Sequence, residues 1–353
     1  GGVVQHYPPL RNLNGDQRRE LQRRMRAARD ARLAEQGGRR PRTEPASRRV
    51  NAQDASEEVR VPAHPLLDRV DDMSLRELEH LQHVMLNFGK RQLNAQIAEL
   101  VKIEIAIDAH AAPGPRELRI RASGGLSNPL RFDVNVLSEE TESEPNDPGV
   151  PSQLPNPAPL ELPVLINGQV LPGDVDRFAF LAIEGQRLVF DVQARSLVPY
   201  LADAVPGWFQ PVLTLFGPDG TELAFVDNFR FDPDPVLLFE IPEDGLYEVE
   251  IRDAIFRGRE DFVYRLSIAE RPFIKEMFPL GARAGDKVAA RIDGWNLPAN
   301  EVALNTDHAS EGLRSAQVSA NGLVSNRVVY AIDKLPESTE VEPNNNIEEA
   351  QEI

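Results

Sequence analysis

The sequence has no cysteine in its 353 residues. That excludes disulfide frameworks and thiolate metal sites together. It has no run of eighteen or more apolar residues, so no membrane-spanning helix is expected. No signal peptide is visible at its start. Gly1-Gly2-Val3-Val4-Gln5 reads as the middle of a strand, and the chain is expected to begin inside a domain. Gly-x-Ser-x-Gly, His-Glu-x-x-His and the P-loop are all missing. The histidines His6, His64, His110 and His308 are scattered and accompany no nucleophile motif. No enzyme is read here.

Positive charge is scarce and local. The chain carries 39 Lys and Arg against 56 Asp and Glu, a net charge of −17. Residues 11–49 hold thirteen Arg and five acidic residues, a balance of +8, so the remainder carries about −25. An acidic bulk argues against nucleic acid as the partner. It suits a protein kept soluble outside the cell, or one that gathers divalent cations.

What is present is punctuation: 29 Pro and 23 Gly between short apolar runs, the grammar of many short strands joined by turns. The length suits two to four domains. Helices are expected only near the start. Residues 14–36 are rich in Arg, Leu, Ala and Glu, with a thin stripe of Leu21, Met25 and Ala28. Asn14 caps them with Gln17 three residues on, and Gly37-Gly38 stops them. Residues 37–64 read as a polar linker. A second helix over 74–88 starts at the Ser74/Glu77 capping pair and buries Leu75, Leu78, Leu81, Met85 and Phe88.

From residue 100 the period changes to two. Val101, Ile103, Ile105 and Ile107 alternate with polar or small residues, as do Leu118 and Ile120, and Leu130, Phe132, Val134 and Val136. Residues 138–269 continue with roughly eight strands and no helical period between them, the pattern of a sandwich or jelly roll. Gly217-Pro218-Asp219-Gly220 marks one hairpin, and Pro242-Glu243-Asp244-Gly245 is read as a second of the same design. Residues 270–335 add a smaller β block with strands expected at 274–278, 287–292, 301–305 and 328–332.

Residues 126–146 and 324–344 repeat without a gap. Ser127-Asn128 matches Ser325-Asn326, Thr141-Glu142 matches Thr339-Glu340, and Glu144-Pro145-Asn146 matches Glu342-Pro343-Asn344, each shifted by 198 residues. The repeating unit is a small β domain, an acidic linker and a larger β domain.

The larger unit resembles the bacterial pre-peptidase C-terminal domain. Glu144-Pro145-Asn146-Asp147, Gly173-Asp174-Val175-Asp176-Arg177-Phe178, Gly217-Pro218-Asp219-Gly220 and Pro242-Glu243-Asp244-Gly245-Leu246-Tyr247 carry this resemblance, in order. The smaller units resemble immunoglobulin-like domains of the IPT/TIG type, through Phe278-Pro279, Gly281, Gly285-Asp286 and Asp293-Gly294-Trp295-Asn296-Leu297. The expected fold is therefore mainly β: tandem β-sandwich domains, jelly-roll-like and immunoglobulin-like, with an N-terminal helical insertion. Residues 1–137 would be a partial immunoglobulin-like domain carrying the insertion at about 11–95. Residues 138–269 would be the pre-peptidase C-terminal-like sandwich, 270–335 a small immunoglobulin-like domain, and 336–353 the truncated start of a second large one.

The resemblance implies a non-catalytic module array, extracellular, at the cell surface or periplasmic, that binds, spaces or anchors. The alternative is the accessory C-terminal region of a secreted peptidase whose catalytic domain lies outside these residues. The implied partners are an extracellular polymer or a cell-envelope component; nothing in the sequence sets an oligomeric state.

Calcium is the one cofactor the residues suggest. Glu142, Glu144, Asn146 and Asp147 in the acidic linker, with Asp174 and Asp176, offer hard oxygen ligands of the kind Ca2+ takes six to eight of. They converge only if the linker folds back on the sandwich. The competing reading is that both acidic segments merely cap turns. His80 and His83, three apart, read as a solvated helix edge. The Arg-rich stretch 18–32 reads as an arm that docks on the acidic modules or stays solvated. Trp208-Phe209 and Pro199-Tyr200 are either core residues or an aromatic platform.

Overall fold

The two expected capping pairs form, and they start the two long helices. Gln17 N donates to Asn14 Oδ1 at 2.8 Å while Asn14 N donates to Gln17 Oε1 at 3.0 Å. Glu77 N donates to Ser74 Oγ at 3.1 Å and Ser74 N to Glu77 Oε2 at 2.6 Å. The computed structural model describes residues 2–7, 13–36, 59–87, 100–144, 146–148, 158–197, 209–259, 261–307 and 311–352. Gly37-Gly38, Phe88, Pro145, Trp208, Pro199-Tyr200, His308 and most of the 37–64 linker lie outside the described residues.

Helix α1 (Gly15–Gln36) and helix α3 (Leu75–Asn87) flank the short α2 (Pro65–Asp68). The predicted stripe of Leu21, Met25 and Ala28 is buried against Leu67, Val70, Met73, Leu78 and Leu81. Among the described residues this core contains residues of the helical segment alone. Strand β1 (Gly2–Tyr7) pairs antiparallel with β2 (Leu100–Glu104), so the helical segment leaves and re-enters through one ladder. The strand read over 101–107 ends at Glu104, which faces Gly2.

Next come β3 (Gly114–Leu118), β4 (Arg121–Ala122), β5 (Gly125–Leu126) and β6 (Leu130–Val134). The alternation through Ile120 breaks because Ser127 captures it. Ser127 N donates to Ile120 O at 2.8 Å, and Ile120 N to Ser127 Oγ at 2.9 Å.

Residues 138–269 form two facing sheets. One runs β13 (Val236–Glu240), β10 (Arg187–Gln193), β15 (Val263–Ala269), β8 (Val164–Gln169) and β7 (Ser138–Thr141), with β7 parallel to β8. The other runs β12 (Glu222–Val226), β11 (Pro211–Phe216), β14 (Gly245–Asp253) and β9 (Asp176–Ala182). Phe180, Phe190, Leu213, Tyr247, Val249, Tyr264 and Leu266 fill the space between them. Phe209 belongs to this core, stacked on Phe262 with centroids 5.2 Å apart. The Gly217–Gly220 hairpin joins β11 and β12 as read, with Gly220 at a φ of 78°. The second expected hairpin is not one. β13 and β14 sit in different sheets, and Ile241 is buried in the core where the chain crosses between them. A turn motif fixes the reversal but not which sheet receives the next strand.

The last block comprises β16 (Phe273–Phe278), β17 (Gly281–Arg283), β18 (Ala289–Trp295), β19 (Glu301–Ala303), β20 (Gly312–Ala316), β21 (Ser319–Ala320), β22 (Leu323–Val324) and β23 (Val328–Asp333). Two three-stranded sheets, β16-β18-β19 and β17-β23-β20, enclose Ile274, Ala290, Ile292, Tyr330 and Ile332. The polar β20, which has no alternating signal, pairs with β23 throughout its length. The sequence repeat is also a structural one: β20, β21, β22 and β23 begin 198 residues after β3, β4, β5 and β6. Ser325 repeats the Ser127 turn, taking Val318 N at 3.0 Å. The molecule is mainly β, in several sheets, with one helical segment near its start.

Candidate cation site

At one end of the sandwich the acidic linker folds back onto the sheets. Glu142 N donates to Asn167 O at 3.0 Å, extending the β7–β8 pairing by a step, and Arg177 N donates to Asn146 O at 3.2 Å. These two bonds carry Glu142, Glu144, Asn146 and Asp147 to the turn before β9, where Asp174 and Asp176 stand. Both of these are fully buried.

Tyr264 links the two segments. Its hydroxyl lies 2.7 Å from Asp176 Oδ2 and 3.1 Å from Glu142 Oε2. Glu142 Oε1 takes the Gln169 N–H at 2.7 Å. Space for this is made by Gly168: a Cβ there would lie 2.2 Å from Tyr264 Cζ and 2.6 Å from Glu142 Oε2. Beside them, carboxylate oxygens of Glu144, Asp147 and Asp174 lie within 4.8 Å of one another. Asp174 Oδ2 accepts Leu171 N at 2.8 Å, and Asn146 N donates to Glu144 Oε2 at 3.1 Å.

The remaining oxygens distinguish this cluster from ordinary turn caps. Among the described residues, Glu144 Oε1, Asn146 Oδ1 and Asp176 Oδ1 are buried with no hydrogen-bond partner. Such atoms are costly to leave unmatched. Asp253, equally buried, shows the other outcome. It accepts Gln210 N, Ile255 N and Arg257 N at 3.0–3.1 Å and pairs with the Arg257 guanidinium. Burial opposes its charge, but Arg257 and the backbone N–H groups outweigh burial and hold its carboxyl below the usual range.

In the cluster the balance runs the other way. Burial, then the neighbouring negative charges of Asp174 and Glu142, push Glu144 up to about 8. Burial pushes Glu142 up to about 7. Asp174 is also raised by burial, and Asp176 rises well above its ordinary value, through burial and then through Glu142 and Asp174. Four carboxyl groups thus sit in a space that disfavours their charge. The donor set is oxygen throughout, with no sulfur or imidazole among the atoms brought together, which fits a hard cation such as Ca2+.

Sequence reading missed three contributors. Tyr264 looked like one more core residue of a strand, and Gly168 carried no turn signal. Arg76 is 98 positions from Asp174, on α3. Its Nη1 lies 2.5 Å from Asp147 Oδ1 and pairs as well with Asp174 Oδ1. His80 and His83 lie on the same helix and are not part of the oxygen cluster.

No family model matches the chain, and no curated protein matches it. Among solved structures it is similar to the pre-peptidase C-terminal domain of a collagenase from Bacillus anthracis. That likeness has 15% identity and a TM-score of 0.22, covering 32% of this chain and 99% of the other. No helix of the described residues is long and apolar enough to cross a membrane.

Proposed function

We propose that the chain is a non-catalytic extracellular module array that spaces or anchors. In this reading Ca2+ bound by Glu142, Glu144, Asn146, Asp147, Asp174 and Asp176 locks the acidic linker to the large sandwich. The observation that carries it is the trio of buried oxygens without a protein partner among the described residues, two of them on Glu144 and Asp176, whose ionisation burial and the neighbouring carboxylates oppose. The ion would neutralise their charge and take up those oxygens. It would also fix the direction in which one module leaves the next. The proposed division is the one read from the sequence, with modules at 1–137, 138–269 and 270–335 and a further one starting at 336.

Built joints support a spacing role. The Arg187 guanidinium lies 3.9 Å from the Trp295 ring, and Asn296 Nδ2 donates to Arg187 O at 2.7 Å. Phe229 meets Phe273 edge to face at 5.2 Å. A role as the accessory region of a secreted peptidase places the same modules beside a catalytic domain, and the four motifs shared with pre-peptidase C-terminal domains favour it. Thermal melts of the full chain in EDTA and in excess CaCl2 test the cation. A melting temperature that climbs with the logarithm of calcium above Kd is expected, corresponding to about 2.7 kcal/mol at a hundred times Kd, with one ion per chain by calorimetric titration. Identical melts, with no heat on calorimetric titration, would remove calcium from the reading.

A further inference from the structure

Arg76 stands where a cation is wanted. Its guanidinium contacts oxygens of Asp147 and Asp174, two of the carboxylates assigned to the ion, and is itself about two-thirds buried, with a side-chain exposure of 29%. Asp176, two residues along from Asp174, is fully buried with Oδ1 unpartnered among the described residues, and the charges of Glu142, Asp174 and Glu144 act on it. A calcium ion needs its oxygens at roughly 2.3–2.6 Å. An ion taking Asp147 Oδ1 and Asp174 Oδ1 at that distance competes with a guanidinium nitrogen already in contact with both. Two positive groups held at such a distance in a buried site also repel strongly.

The element that carries Arg76 has an apolar core of its own. Among the described residues its buried apolar side chains, from Leu13 to Leu81, form one cluster that includes no residue of the sandwich. It is joined to the rest of the fold through the paired strands β1 and β2. We propose that Arg76 is a tethered competitor for the cation seat: divalent ion and helical segment exclude each other at Asp147 and Asp174, so ion binding releases the segment from the sandwich. The helical segment would then be docked when calcium is low and free to meet another partner when calcium is high. This rests on the cation reading above.

The test compares wild-type full chain, Arg76→Ala and Arg76→Gln by calorimetric titration with CaCl2. It adds amide hydrogen exchange of residues 59–87 in the wild type with and without calcium. Calcium affinity at least tenfold tighter in both variants, together with faster wild-type exchange around α3 when calcium is added, is expected. Equal or weaker binding in the variants, or unchanged exchange in calcium-saturated wild type, overturns the competition while leaving the cation site standing. Absence of binding in all three proteins overturns both. The exchange measurement needs no substitution, so it decides even if a variant fails to fold.

Discussion

Asp176 concentrates the logic of the site in one side chain. One carboxylate oxygen meets the Tyr264 hydroxyl at 2.7 Å, while the other is buried and unpartnered among the described residues. Burial and the charges of Glu142 and Asp174 oppose its ionisation. Asp176→Asn keeps an oxygen for Tyr264 and removes an ionisable group whose charged form burial and the neighbouring carboxylates oppose. The variant is expected to melt a few degrees higher than wild type in EDTA, and to lose most of the increment that calcium gives wild type. Lower stability in EDTA would show that the carboxylate is already well matched inside the protein. Gly168→Ala addresses the same junction from the other side. Its methyl would strike Tyr264, whose position the β8–β15 ladder fixes. A loss of about 1–3 kcal/mol is expected by chemical denaturation, as for other overpacked positions.

The same groups set a pH dependence. In the unfolded chain glutamates titrate near 4.5, whereas Glu142 is pushed to about 7 and Glu144 to about 8 in the folded protein. Between those limits the folded state holds more protons than the unfolded one. Stability in EDTA is therefore greatest toward the acid end of this window and falls as the pH rises from about 5 to about 8. Calcium, which favours the ionised carboxylates, should flatten or reverse that slope. A melt series across the window, with and without the ion, measures both slopes.

At the scale of elements, much was written plainly in the sequence, because two periodicities and two capping pairs are local signals. The helix over 14–36 was legible in Asn14, Gln17 and the Leu21–Met25–Ala28 stripe, and the Gly217–Gly220 hairpin in its turn residues. What failed was non-local. Pro242–Gly245 reads as a hairpin turn, yet the strands on either side join different sheets, a choice made by packing of Ile241 rather than by the turn. β20 is polar and shows only in its partner β23. The six candidate positions, five carboxylates and Asn146, could be proposed because oxygen ligands have a chemical signature and because part of the linker repeats. Arg76 could not, since a single arginine on a helix far away in sequence looks like any other solvated charge.

At the scale of the molecule the question is stiffness. Arg187, Trp295 and Asn296 clasp the sandwich to the following block. The double variant Trp295→Ala with Asn296→Ala should leave each core folded while widening the distribution of distances seen by small-angle scattering. An unchanged profile would mean that this clasp does not hold the joint. The linker at the other end is where the ion would act. A crystal structure of the full chain grown in calcium tests this most directly. One ion is expected, held within about 2.3–2.6 Å by oxygens drawn from Glu142, Glu144, Asn146, Asp147, Asp174 and Asp176, with Arg76 turned away. Saturating calcium that leaves no ion there, and Arg76 still seated on Asp147 and Asp174, would contradict it.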